Sequence, residues 1–262
     1  MTSRAATPSP MVLTDRGGAV ATGRSTSTSP LVYARFAGLL YLVVAIAAPF
    51  SFFYMRSRLI VPGDAAATAS NILASEGLFR MAIASDAIVF LSEIVLAALL
   101  YRLFKPVSTT VSLATGFARL AMAGLQAVNL LNYLVVLLLL SGASYLAVFD
   151  PDQVQALALL FLTAYDSMTL IWGTFFGLQF IGLGYLVYRS GYVPRVLGVL
   201  LLGSAVGYLT DSFGNFLAPQ YDAIYAQMVI VLAIAGELVF TLWLLIRGVN
   251  VAKWEQRARE SA

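Results

Sequence analysis

Four residues set in otherwise apolar surroundings carry side chains suited to ion pairing or proton transfer: Glu93, Arg119, Gln179 and Glu237. Each stands in a block of about 20 or more mainly apolar residues, the length an α-helix needs to cross a hydrocarbon core of about 30 Å. A charge near the bilayer centre costs at least about 2.5–3.5 kcal/mol, so such groups are expected to turn toward protein or water and find partners. At a helical rise of about 1.5 Å per residue, all four lie roughly 10–15 Å from the same end of their blocks. The expected arrangement pairs Glu93 with Arg119 and brings Glu237 close enough to compete for the guanidinium. Two acids around one arginine leave a negative surplus that a proton would neutralise.

The same count gathers Arg80, Asp86, Gln126, Asn129, Asp166, Asp211 and Asn215 in the opposite half of the blocks. Asp86 and Glu93 share a helix face, as do Arg119 and Gln126, whose stripe continues to Asn129. A site is one use for such groups. Packing is the other, since interhelical polar contacts average about 0.6 kcal/mol each. Asp86, Asp166 and Asp211 also stand where outer water or helix capping would satisfy them.

The chain has no cysteine and no histidine. That excludes disulfides, thiolate nucleophiles, Ser-His-Asp and Cys-His sites, the zinc-peptidase helix motif and histidine-held haem. A metal could be held only by carboxylates, amides and carbonyls. No catalytic residue, metal site or cofactor is assigned. With 60% apolar and 11% charged residues, the composition is far from the roughly 25% charged residues of soluble domains. The apolar blocks do not alternate with period two, so helices are the spanning structure.

These observations predict an all-α, polytopic membrane protein with six transmembrane helices over about 31–54, 78–104, 111–140, 154–188, 196–217 and 224–246. Residues 1–30, rich in Ser, Thr, Ala and Pro, read as a disordered tail, and 249–262 as a short polar one. Ala45-Ile46-Ala47 resembles a signal-peptidase site, but the apolar run continues through Phe53, as an uncleaved helix should. Asp64 is placed to cap a short helix through Leu73, either joining two spans at the interface or forming a lid. The fourth block is too long for one perpendicular crossing, so it tilts, or its first part to Asp166 lies at the surface.

Arg4, Arg16, Arg24, Arg35, Arg102, Lys105, Arg189, Arg195, Arg247, Lys253, Arg257 and Arg259 all fall on the side that carries both termini. The other side has Arg56, Arg58 and Arg80. This asymmetry places both termini in the cytoplasm and accounts for the net charge of +3 without nucleic acid. The expected partners are membrane lipids, with a second copy or another membrane protein as further candidates.

The run Arg-Leu-Ile-Val-Pro-Gly-Asp-Ala-Ala-Ala-Thr-Ala-Ser-Asn-Ile from Arg58 to Ile72, before Glu76-Gly77-Leu78-Phe79-Arg80, carries a family likeness. So does Phe175-Phe176-Gly177-Leu178-Gln179, continuing through Gly184-Tyr185-Leu186-Val187-Tyr188-Arg189-Ser190-Gly191-Tyr192-Val193-Pro194-Arg195-Val196-Leu197-Gly198. Together they resemble domain of unknown function 4386, from Tyr33 to Gly248. The resemblance implies a bacterial multi-pass protein of the cytoplasmic membrane and no assigned activity. It also implies a histidine in many members where this chain has Gln179, which argues against an obligatory imidazole there. Three readings follow: a bundle that binds or moves a small solute, lipid or proton; a structural or regulatory membrane subunit; and, least supported without His or Cys, an intramembrane lipid-modifying enzyme.

Overall fold

Caps set where the helices begin. In the computed structural model, which describes residues 29–261, Ser29 precedes Pro30 and its hydroxyl accepts from Leu31 N at 3.3 Å, starting α1, Pro30–Leu59. Asp64 accepts from Ala67 N at 2.9 Å and starts α2, Ala65–Ala74. Ser75 leads into α3, Glu76–Phe104, and Ser108 caps α4, Thr109–Leu139. Asp150 and Gln153 form a reciprocal capping box at the head of α5, Pro151–Ser190. Pro194 precedes α6, Arg195–Leu217, and Pro219 opens α7, Pro219–Ile246. Gly191 at φ 75° and Gly248 at φ 66° end α5 and α7 in the left-handed region that glycine tolerates.

Six of these helices are long and apolar enough to cross a membrane, and no strand occurs among the described residues. They form a ring in chain order: α1 packs on α3, α3 on α4, α4 on α5, α5 on α6, α6 on α7, and α7 returns to α1. Large apolar side chains such as Phe36, Leu91, Phe117, Leu178, Val206 and Leu242 stand exposed on the outside of all six. In water this would be a liability; in lipid it is the solvated surface.

The buried apolar residues divide into two clusters. One, near the face that carries the chain ends, unites Tyr41, Leu96, Leu100, Met122, Phe180, Leu183, Phe240 and Leu244. The other, toward the far face, unites Met55, Leu59, Ile72, Phe79, Leu130, Tyr133, Leu162 and Tyr165. The second exists because α1 does not stop at Tyr54. After Pro49 it passes through a π-helical stretch, Phe50–Met55, and continues to Leu59, burying Met55 and Leu59 one turn apart. Short α2 covers this cluster with Thr68, Ala69 and Ile72. The fourth spanning helix, α5, is one continuous element from Pro151 onward.

The tail expected over 1–30 lies outside the described residues except for Ser29 and Pro30, as does Ala262 at the other end. The C-terminal segment is not merely a polar tail. It forms α8, Val251–Glu260, whose Trp254 indole donates to Leu103 O at 2.8 Å. Tyr192 donates to the same carbonyl at 2.8 Å. Burial raises its pKa above the usual tyrosine range, which keeps the hydroxyl a donor.

Small residues let the ring close. Side chains at Gly173 and Gly177 would collide with Ser212 and Leu209 of α6, and one at Gly38 would sit 2.6 Å from Leu245 N of α7. Gly38→Ala therefore sets a gain of about 1 kcal/mol in helix propensity against about 1–3 kcal/mol of overpacking on an unyielding backbone. Its unfolding midpoint in detergent is expected to fall. Gly124→Ala, with nothing within 4 Å, is expected to hold or raise it.

Candidate functional site

Arg119 is the largest of the fully buried side chains, at 1% exposure. It sits on α4 within the first cluster, nearly one turn before buried Met122. One guanidinium nitrogen donates to Glu93 of α3 and another to the Tyr41 hydroxyl of α1. The guanidinium also lies 5.0 Å from the centre of the Tyr41 ring. Three helices are thereby tied by one cation. Its Nε has no protein partner.

Glu237 of α7 accepts a 2.9 Å hydrogen bond from the Tyr208 hydroxyl of α6. One turn on, Phe240 packs edge-on against Tyr41 at 5.9 Å, but Glu237 makes no ion pair with the guanidinium. Gln179 of α5 is fully buried, and neither atom of its amide has a hydrogen-bond partner. A recess of about 10 Å³ opens between α3, α4 and α5, lined by Ala97, Tyr101, Ser112, Thr115, Arg119 and Leu183 among others. Of the four residues expected to border a cavity, Arg119 alone lines it.

The opposite half holds a second network. The Tyr165 hydroxyl donates to Asp86 at 2.5 Å and accepts from Gln126 at 3.1 Å, while Asn129 donates to Tyr165 O at 3.0 Å. Asn132 donates to Asn129 at 2.9 Å, and buried Ser51 of α1 faces Asp86. The Tyr165 and Tyr133 rings stack at 4.0 Å. Arg56 joins them by donating to the Tyr133 hydroxyl at 3.3 Å and pairing with Asp166 at 2.6 Å. The Asp166 side chain is 45% exposed, so this network reaches the protein surface.

Three residues expected here are elsewhere. Arg80 is exposed and pairs with Glu76 at 2.6 Å along its own helix. Asp211 and Asn215 bond to each other on α6 at 3.1 Å, apart from the Asp86 network. They share the depth but not the direction, since depth along a helix says nothing of the 100° turn between successive residues.

The residues that sequence reasoning passed over are Arg56, placed beyond the first span, and the tyrosines 41, 133, 165 and 208. Each tyrosine lies well inside a long apolar block. A hydroxyl at that depth requires a partner, and this was the available signal. Tyr192 is buried against Leu103.

Fold and site together define a polytopic membrane bundle with two internal polar networks. The chain belongs to the family described as Domain of unknown function (DUF4386), which it matches over residues 36–248. It is also 27% identical to an uncharacterized protein of Archaeoglobus fulgidus over 161 residues, covering 62% of this chain and 80% of that one. No solved structure matches.

Breaking a buried pair by removing one partner typically costs about 3–5 kcal/mol. Arg119→Ala is therefore expected to lower unfolding stability by that order. Adding Glu93→Gln should recover a substantial part, because the stranded carboxylate is gone. Losses that simply add in a double-mutant cycle would show that the two side chains are not coupled.

Proposed function

We propose that this protein binds protons and moves them through its bundle, in the cytoplasmic membrane with both termini in the cytoplasm. The observation that carries the reading is an acid in excess near a buried ion pair: Glu237 is one turn from Phe240, whose ring packs 5.9 Å from that of Tyr41, the Arg119 partner, and a recess of about 10 Å³ at the pair admits no more than about one water. A solute or lipid needs far more room. A proton needs only groups that exchange it, and carboxyl and hydroxyl groups stand in both halves: Glu93, Tyr41, Tyr208 and Glu237 in one, Asp86, Tyr165, Tyr133 and Asp166 in the other.

In this reading Arg119 and Glu93 compensate each other, and Glu237 is the carrier, held by the Tyr208 hydroxyl. Between the two networks lie Val89 of α3 and Met122 and Ala123 of α4, all buried. This apolar layer serves as the gate, so transfer across it requires a change in packing. The orientation rests on the basic residues at the chain-end face. Membrane lipid is the partner of the exposed apolar surface.

The same closed interior favours a second reading, a scaffold subunit without cargo, and one assay separates them. In liposomes carrying a trapped pH indicator and a potassium diffusion potential, the protein is expected to conduct protons. Glu237→Gln should lower the flux by at least about tenfold, and Arg80→Ala should leave it unchanged. Flux equal to that of protein-free vesicles would end the proton reading and leave the scaffold.

A further inference from the structure

The Arg119 Nε and the whole Gln179 amide are buried polar groups without protein partners, on neighbouring helices. Buried polar groups are nearly always bonded, so this concentration of free donors and acceptors calls for a ligand. The recess lies against Arg119 and against the helix face that carries Gln179. Arg119 lines the recess directly. Its side chain reaches toward the start of α4, as long helical side chains do, and that is where the recess lies. On α5, Gln179 precedes Leu183 by one turn and Leu186 by two, so it shares their stripe, and both leucines line the recess. Gly182 allows the contact: any side chain there would collide with Thr115, which also lines it.

We propose that the recess is a water site that hydrates the Glu93–Arg119 pair from the chain-end face. A volume of about 10 Å³ is close to the minimum for a single water, which needs two to four polar partners. Arg119 Nε, which has no protein partner, donates to that water. The Thr115 and Ser112 hydroxyls donate to Val111 O and Tyr101 O at 2.7 and 3.1 Å, which leaves their lone pairs to accept from water nearer the mouth. The path from the chain-end face thus runs past Ser112 and Thr115 to the arginine. It rests on the proton reading for its purpose, supplying solvent protons to the central groups, but the site itself can be tested without flux.

The chain has no native cysteine, so a single introduced thiol reports without background. In lipid vesicles with the chain-end face accessible, Ser112→Cys and Thr115→Cys are expected to bind silver ion, a thiol reagent no larger than a water, several-fold faster than Ala123→Cys, which is buried a turn beyond Arg119, the binding being read as protection from later alkylation of the unfolded protein. Adding Gly116→Leu, which fills the recess, should remove the Thr115→Cys reaction. Both thiols as inert as Ala123→Cys, while exposed Lys253→Cys reacts, would overturn the proposal. So would reaction only from the far face. Reaction without proton flux would retain the water site and discard the proton reading. Flux without reaction would retain that reading and discard this route.

Discussion

The structure depends on how a guanidinium is kept out of hydrocarbon. Arg119 is buried away from bulk water and from lipid headgroups, and taking a charge there costs several kcal/mol even after relaxation. Glu93 compensates the charge, and Tyr41 supplies both an acceptor and a ring face. Because those partners come from α1 and α3, meeting the arginine's needs fixes three helices in register. Gly38 then lets α1 approach the backbone of α7, which closes the ring on that side.

Such a pair is a poor device for stability alone. Replacing a buried ion pair by apolar side chains of similar volume is often neutral or stabilising by about 1–4 kcal/mol. Its presence in a bundle otherwise packed with Leu, Phe and Ala is what the proton reading proposed above puts to use. That use is set by the surroundings: a further carboxyl at Glu237, a recess at the guanidinium, and a second network that ends at half-exposed Asp166. Between these two polar levels lie buried Val89, Met122 and Ala123.

The architecture was legible in the sequence because a bilayer imposes a length, and apolar blocks of that length leave no alternative to helices. Depth was legible too, as the constant rise of a helix placed Glu93 and Arg119 at one level. Direction was not. Arg80 and Asp86 are six residues apart on α3, yet Arg80 faces outward while Asp86 turns inward to Tyr165. Span ends were legible only where a cap or proline marks them. After Pro49 the π-helical stretch carries α1 past the expected end, which moves Arg56 from a loop into the second network. The tyrosines escaped notice because aromatic residues in apolar blocks read as packing, although four of their hydroxyls hold the two networks together.

Everything in the bundle turns on Glu93 and Arg119 being charged together. Infrared difference spectroscopy of the protein in lipid nanodiscs, wild type minus Glu93→Gln, with carbon-13 labelled glutamate to mark the bands, reads that charge. The expected difference is the loss of a carboxylate stretch shifted by its guanidinium partner. Loss of a protonated carboxyl stretch instead would mean that the acid is neutral and that no ion pair organises the bundle.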